Sequence, residues 1–301
     1  MSTATKHRTS GSVRVESQGS RGPRDALMSR TTAMVIMGVF TLYFLMPLWW
    51  LLVASSKNKG DVFTTNPLWF ADFQMWSNIG DLFSYDHGVY LKWLVNSALY
   101  AGLGGAVATL LAAMAGYALA KYKFRGREVM FNVILGGVLV PATALALPLF
   151  LLFSKVELTN TFWAVFLPSI VSPFGVYLTK IFAASSVPDE VLEAARLDGS
   201  GEIRTFFTVS IRLMSPALVT VFLFQFVTIW NNFFLPLIML RDAKLFPVTF
   251  GLYSWNTQLN QIPELRSLVL VGALVSIVPL IVTFLSLQRF WRNGLGAGAV
   301  K

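Results

Sequence analysis

The sequence predicts an all-α, polytopic membrane protein with six transmembrane helices. Three observations predict it. Apolar residues make up 55% of the chain and charged residues only 13%, against about 25% charged in a soluble domain. Six runs of at least 22 residues carry no charge, and a span needs about 20. Lys and Arg alternate between rich and poor across the segments joining those runs. The chain has no cysteine, which excludes a disulfide framework, a thiol nucleophile and a cysteine metal site.

Residues 1–30 are polar and basic, and cannot bury enough apolar surface to offset ordering entropy. They are expected to form a disordered tail. The first span is 31–55. The remaining spans are placed at 93–120, 129–154, 158–179, 213–240 and 267–288, with a short tail at 289–301. A charge at mid-bilayer costs about 2.5–3.5 kcal/mol, so runs this clean are read as spanning helices. Pro141, Pro148, Pro168, Pro173, Pro236 and Pro279 fall inside them, where neighbouring helices can satisfy freed carbonyls. The second span is rich in small residues, including Ala101, Gly104, Gly105, Ala108, Ala112, Ala113 and Gly116. That composition suits a closely packed central helix.

Of the 24 Lys and Arg residues, 17 fall in the N-terminal tail, the 121–128 loop, the 180–212 stretch and the C-terminus, all on one side. The positive-inside rule places that side, and both termini, in the cytoplasm. The net charge of +9 is then a matter of topology and calls for no nucleic acid. Trp49, Trp50, Trp93 and Trp163 fall near outer span ends and Trp291 near an inner one, as interfacial anchors do.

The most informative polar segment is 186–204, on the cytoplasmic side. It includes Asp189, Glu190, Glu193, Asp198 and Glu202, five of the fifteen acidic residues. Pro188 fits a first helical turn, and Ser186 with Asp189 is spaced like a capping box. Gly199 suits a left-handed helix stop and Ser200 a cap for the next helix. Val191, Leu192, Ala194, Ala195 and Leu197 supply an apolar side. Two readings stay open on pattern alone. Such a helix docks in a groove of a soluble partner, or it only joins two spans with Glu193 and Arg196 paired at i, i+3.

Glu193-Ala194-Ala195-Arg196-Leu197-Asp198-Gly199, with Phe206, Val209 and Pro216 following, resembles the EAA loop of permease subunits of binding-protein-dependent ABC importers. Further short matches cover most of 31–301. They include Trp93-Leu94-Val95-Asn96-Ser97, Val140-Pro141, Ser172-Pro173-Phe174-Gly175 and Trp230-Asn231-Asn232-Phe233, and are similar to the carbohydrate (maltose-type) branch. One departure is Arg212, where the family pattern has proline.

The resemblance implies an ABC importer permease fold with a cytoplasmic coupling helix, in the bacterial inner membrane. It implies a cleft in an ATP-binding subunit that receives Glu190, Glu193, Ala194, Ala195, Asp198 and Gly199. It also implies a second permease chain, two ATP-binding subunits that hold ATP and magnesium, and an extracytoplasmic sugar-binding protein. No cofactor is expected in this chain, because it has no phosphate-binding glycine loop followed by Lys-Ser/Thr.

Trp230, Asn231, Asn232, Asn96 and Gln225 are candidates to line the substrate path; interhelical hydrogen bonding is the plainer role for them and for Asn132. The loops 57–92 (Trp69, Phe70, Asp72, Phe73, Trp76) and 241–266 (Phe246, Tyr253, Trp255, Asn256) either contact the binding protein or pack at the membrane surface. A non-sugar solute such as glycerol-phosphate is the alternative cargo. A secondary transporter is a weaker alternative, since the six runs carry no ionisable residue for ion coupling. An intramembrane enzyme would need a convergent polar set that the runs lack.

Overall fold

The computed structural model describes residues 23–297, without the side chains of 23–29, 289 and 291–297. Most of the expected disordered tail, the 298–301 end and the Trp291 side chain therefore lie outside the described residues. Residues 23–30 of that tail are helical. Among the described residues the regular structure is helical throughout, with no strand. Residues up to Trp50 and residues from Leu51 form two separate compact units.

The first unit holds most of helix α1 (Pro23–Ser56). Its apolar side chains point outward on all sides: Leu42, Tyr43 and Phe44 are each about 70% exposed. An apolar surface of this kind all round a helix is the mark of a membrane span.

In the second unit come α2 (Met75–Ser84), α3 (Val89–Ala98), α4 (Gly104–Lys121), α5 (Arg127–Gly136), α6 (Ala146–Lys155), α7 (Phe162–Ser169) and α8 (Pro173–Ser186). They are followed by α9 (Asp189–Leu197), α10 (Glu202–Thr205), α11 (Ile211–Trp230), α12 (Phe234–Met239), α13 (Val248–Thr257) and α14 (Leu265–Ala297). Two π-helical turns, Leu99–Leu103 and Phe206–Ser210, join α3 to α4 and α10 to α11.

Five stretches among the described residues are helical, long and apolar enough to cross a membrane: Arg30–Ser56, Met75–Lys121, Phe162–Ser186, Glu202–Trp230 and Leu265–Gln288. The expected third span, 129–154, is instead divided between α5 and α6. Pro141 has no N–H to give, and it holds Val140 in an extended conformation at the break. Since α5 packs on α8 and α6 on α12, the two halves together have the length of a sixth crossing.

The stretch Phe162–Ser186, at the predicted fourth span, ends seven residues later than the uncharged run 158–179, because Lys180 lies inside α8. Its ammonium sits 3.4 Å from the centre of the Phe131 ring and 3.8 Å from Glu128. The stretch at the predicted fifth span begins earlier than 213, at Glu202, and stops at Trp230 rather than Leu240. Arg212 lies within continuous helix there.

Helix α4 is the centre of the second unit, packed on α8 and α11. Ala108, Ala112, Ala113 and Gly116 are buried on its packed side, while Leu110, Leu111 and Met114 are exposed. The closest approach is at Gly116. A Cβ there would overlap the Thr179 side chain and come within 2.6 Å of the Lys180 backbone nitrogen. Thr179 Oγ1 donates to Ala112 O across the contact at 2.6 Å.

Gly116→Val is expected to force these helices apart. The cost is about 1–3 kcal/mol or more, read as a lower thermal midpoint of the purified protein than for a substitution at exposed Ala106.

Candidate functional site

Helix α9 lies between α8 and α10 and is held by three kinds of contact. Leu192 is buried, within a cluster of Ala113, Tyr117, Ala183, Val187, Phe206 and Met214. Those residues come from α4, α8, the π-helical turn and α11, so one side chain joins α9 to three membrane helices. Lys121 Nζ, at the end of α4, donates to Asp189 Oδ1 at 2.8 Å. Tyr122 OH donates to Glu202 Oε2, and Arg196 Nε to Glu202 Oε1, both at 2.8 Å. The i, i+3 pair of Glu193 with Arg196 does not form; Glu202 lies across the glycine turn and takes Arg196 instead.

These bonds bias the charges of the loop. The Lys121 ammonium holds the Asp189 carboxyl below the usual carboxylate range. The Glu202 carboxylate raises the Arg196 guanidinium. Tyr122 is pushed up, first by burial and then by its bond to Glu202. All three groups keep their neutral-pH charge states, so the clamp stands at physiological pH. Acid below the carboxylate range would release the Asp189 arm.

The ends of α9 differ in part from the sequence expectation. Pro188, extended, is the N-cap, and no side chain caps the helix, so Ser186 forms no capping box. At the other end Gly199 has φ +76°. Ser200 N donates to Ala195 O at 2.9 Å and Gly199 N to Arg196 O at 3.0 Å, the two bonds of a Schellman stop. Gly201 is the N-cap of α10, and Ser200 instead accepts from Thr205 Oγ1.

Outside these contacts the loop is open. Glu190, Glu193, Ala194, Asp198 and Gly199 are exposed and Ala195 is half-buried. The apolar side expected of α9 is therefore split. Leu192 points into the chain, whereas Leu197 is 89% exposed and Ile203, beyond the turn, 77%. Ile203 was not singled out in the sequence. An isoleucine three residues beyond a glycine stop reads equally well as core, and only the turn shows that it faces out.

A family model described as "Binding-protein-dependent transport system inner membrane component" matches residues 105–292. The match takes in α4 to α14 and the whole exposed loop. The chain belongs to this family. It is a membrane component of such a system, and the family's part in it is that of a permease, not an enzyme.

Among relatives, the arabinooligosaccharides transport system permease protein AraQ of Bacillus subtilis is 34% identical over 265 residues, 87% of this chain and 92% of that protein. AraQ of Halalkalibacterium halodurans is 37% identical over 214 residues, 71% and 75% of the two chains. A solved bacterial ABC transporter involved in the import of the acidic polysaccharide alginate shares the fold. Its TM-score is 0.77 at 23% identity, covering 90% of this chain and 99% of that one.

The polar residues of the permease spans are not brought together. Both amide hydrogens of Asn96 are spent on Lys244 O and Phe246 O, at 2.8 and 3.0 Å. Trp93 Nε1 donates to Ala243 O at 2.8 Å and Ser97 Oγ accepts from Val248 N at 2.7 Å, so α3 fastens the loop before α13. Gln225 donates to Ser172 Oγ, tying α11 to the start of α8. Trp230 is buried against Phe226.

Asn232 Oδ1 accepts from Leu235 N at the start of α12. Asn231 is exposed at the end of α11, with its amide nitrogen donating to Val227 O. Asn132 is exposed on α5. Phe246 and Trp255 are buried against Trp93, so these two aromatics of 241–266 belong to the core and not to an outer contact face.

Asn96→Ala leaves two carbonyls without their donor, at a cost of about 1–3 kcal/mol. Amide hydrogen exchange in residues 243–248 is expected to quicken relative to that in α4.

Proposed function

We propose that this permease is one of two membrane subunits of an ATP-driven importer of a sugar or oligosaccharide. In this reading α9 is the coupling helix, received by a cleft in an ATP-hydrolysing subunit. ATP and magnesium are held by that partner, the second permease is a different chain, and both termini are cytoplasmic. An extracytoplasmic binding protein delivers the sugar. The observation that carries the reading is the two-sidedness of the 189–203 loop. It turns Glu190, Glu193, Leu197 and Ile203 outward, while Leu192, Asp189 and Glu202 are tied to α4, α8 and α11.

The carbohydrate cargo is supported by the relatives. Besides the two AraQ proteins, the "Melibiose/raffinose/stachyose import permease protein MelC" of Bacillus subtilis is 27% identical over 85% of the chain. The sugars named for these relatives are all oligosaccharides, which favours a sugar over glycerol-phosphate.

Mechanically, a partner that closes on ATP pulls the loop as a unit. The Schellman stop at Gly199 fixes the angle between α9 and α10. Leu192 and the Lys121 and Tyr122 bonds pass the displacement to three helices rather than to the two flanking strands of chain alone. Such coupling requires two global states that differ in contacts at both sites. Asn231 is the member of the proposed path whose side chain is exposed at a helix end, where an amide can meet a sugar hydroxyl. Asn96 and Gln225 act as fasteners, and Trp230 as packing.

Glu193→Lys is expected to remove about 2–5 kcal/mol of docking energy and cut ATP-driven uptake at least about tenfold, with the protein still in the membrane. Normal uptake by this variant, measured in proteoliposomes, would refute the coupling role. Tyr122→Phe is expected to leave ATP hydrolysis in place while lowering sugar moved per ATP. Asn231→Leu should weaken sugar uptake through its concentration dependence without loss of assembly; an unchanged uptake curve removes Asn231 from the path.

A further inference from the structure

On the side opposite α9, the segment 61–76 carries a set of exposed aromatics. Phe63 is 72% exposed, Trp69 65%, Phe73 54% and Trp76 78%. The segment leads into α2, whose other face is buried through Met75, Asn78 and Leu82. So α2 is fixed to the fold by one side and presents Trp76 on the other.

The depth of this patch is set by hydrogen bonds. Asn78 Nδ2 donates to Ser55 O and Lys57 O, both at 2.9 Å, and Gln74 N donates to Ser56 O at 2.7 Å. Ser56 is the last residue of α1. The start of α2 is thus bonded to the end of a membrane-spanning helix, level with its final turn.

The loop between them is folded, not free. Lys57, 1% exposed, donates from Nζ to Thr65 Oγ1 at 2.9 Å and Asn66 O at 2.6 Å. Arg266 lies 4.9 Å from the centre of the Phe63 ring. The side follows from length. The helical stretch from Val89 to Lys121 rises about 50 Å, and Lys121 is bonded to α9 at its far end.

We infer that Phe63, Trp69, Phe73 and Trp76 form a platform that lies in the lipid headgroup layer of the leaflet opposite the coupling helix. Four large rings on the segment bonded to residues 55–57, where α1 ends, meet lipid headgroups and upper acyl chains. Aromatic side chains favour that layer because the ring is apolar and its edge tolerates water. The buried Lys57 and the Asn78 bonds hold the platform at this level. Its occupant is the bilayer surface itself and not a soluble protein.

The natural absence of cysteine makes a direct test simple. Trp76→Cys and, separately, Phe73→Cys carry an environment-sensitive fluorophore, in the full chain within its purified membrane complex in phospholipid nanodiscs. The inference expects blue-shifted emission, strong quenching by a headgroup-attached nitroxide lipid and little by aqueous iodide. Strong iodide quenching with little effect of the nitroxide lipid overturns it. Iodide quenching that is lost only on adding a binding protein also overturns it, and assigns the patch to that protein. Both labels sit on exposed side chains, so neither result depends on transport or on the coupling role of α9.

Discussion

The structure depends on how closely α4 can approach α8. Between Gly116 and Thr179 there is no room for a single extra carbon, and the Thr179 hydroxyl spans the contact to Ala112 O. In lipid, burying apolar surface does not drive helices together, so contact area and interhelical hydrogen bonds must do it. That approach brings the C-terminal ends of α4 and α8 side by side. Only then can Lys121 and Tyr122 reach Asp189 and Glu202. The geometry of the exposed loop is therefore decided about one and a half turns away, at the glycine where the two helices touch.

A consequence is that the loop, α4, α8 and α11 form one mechanical body. An exposed ion pair such as Arg196–Glu202 contributes little, and the stability of the loop rests mainly on the burial of Leu192. The polar bonds fix orientation instead. They set which carboxylates remain outward, and these are Glu190, Glu193 and Asp198. The outward face is an acidic rim with apolar points at Leu197 and Ile203.

Much of this was legible in the sequence, for definite reasons. Uncharged runs report solvent, so the helical membrane class was readable, and Gly199 stood where a left-handed stop is needed. The errors also have physical causes. Lys180 ended a predicted span because a charge in lipid is costly, yet Phe131 and Glu128 receive it within the bundle. Pro141 is expected to be tolerated within a span, but the helix is interrupted there. Arg196 is spaced to pair with Glu193 one helical turn back, whereas Glu202 takes it from across the glycine turn. Asn96 has the hydrogen-bonding role that is the plainer expectation for an amide in a span. Its partners are backbone carbonyls about 150 positions away, which no local pattern reveals.

The gap between α5 and α6 bears on what surrounds the chain. From Val138 to Leu145 every residue is exposed, and the backbone bonds here are short turns such as Ala144 N to Pro141 O. Hydrocarbon offers no donors to the carbonyls left over, and each one abandoned in it costs several kcal/mol. That stretch of backbone is therefore barred from contact with acyl chains. It must be wetted or covered by protein, so one face of this subunit is turned away from the oily medium that the rest of its surface is built to meet.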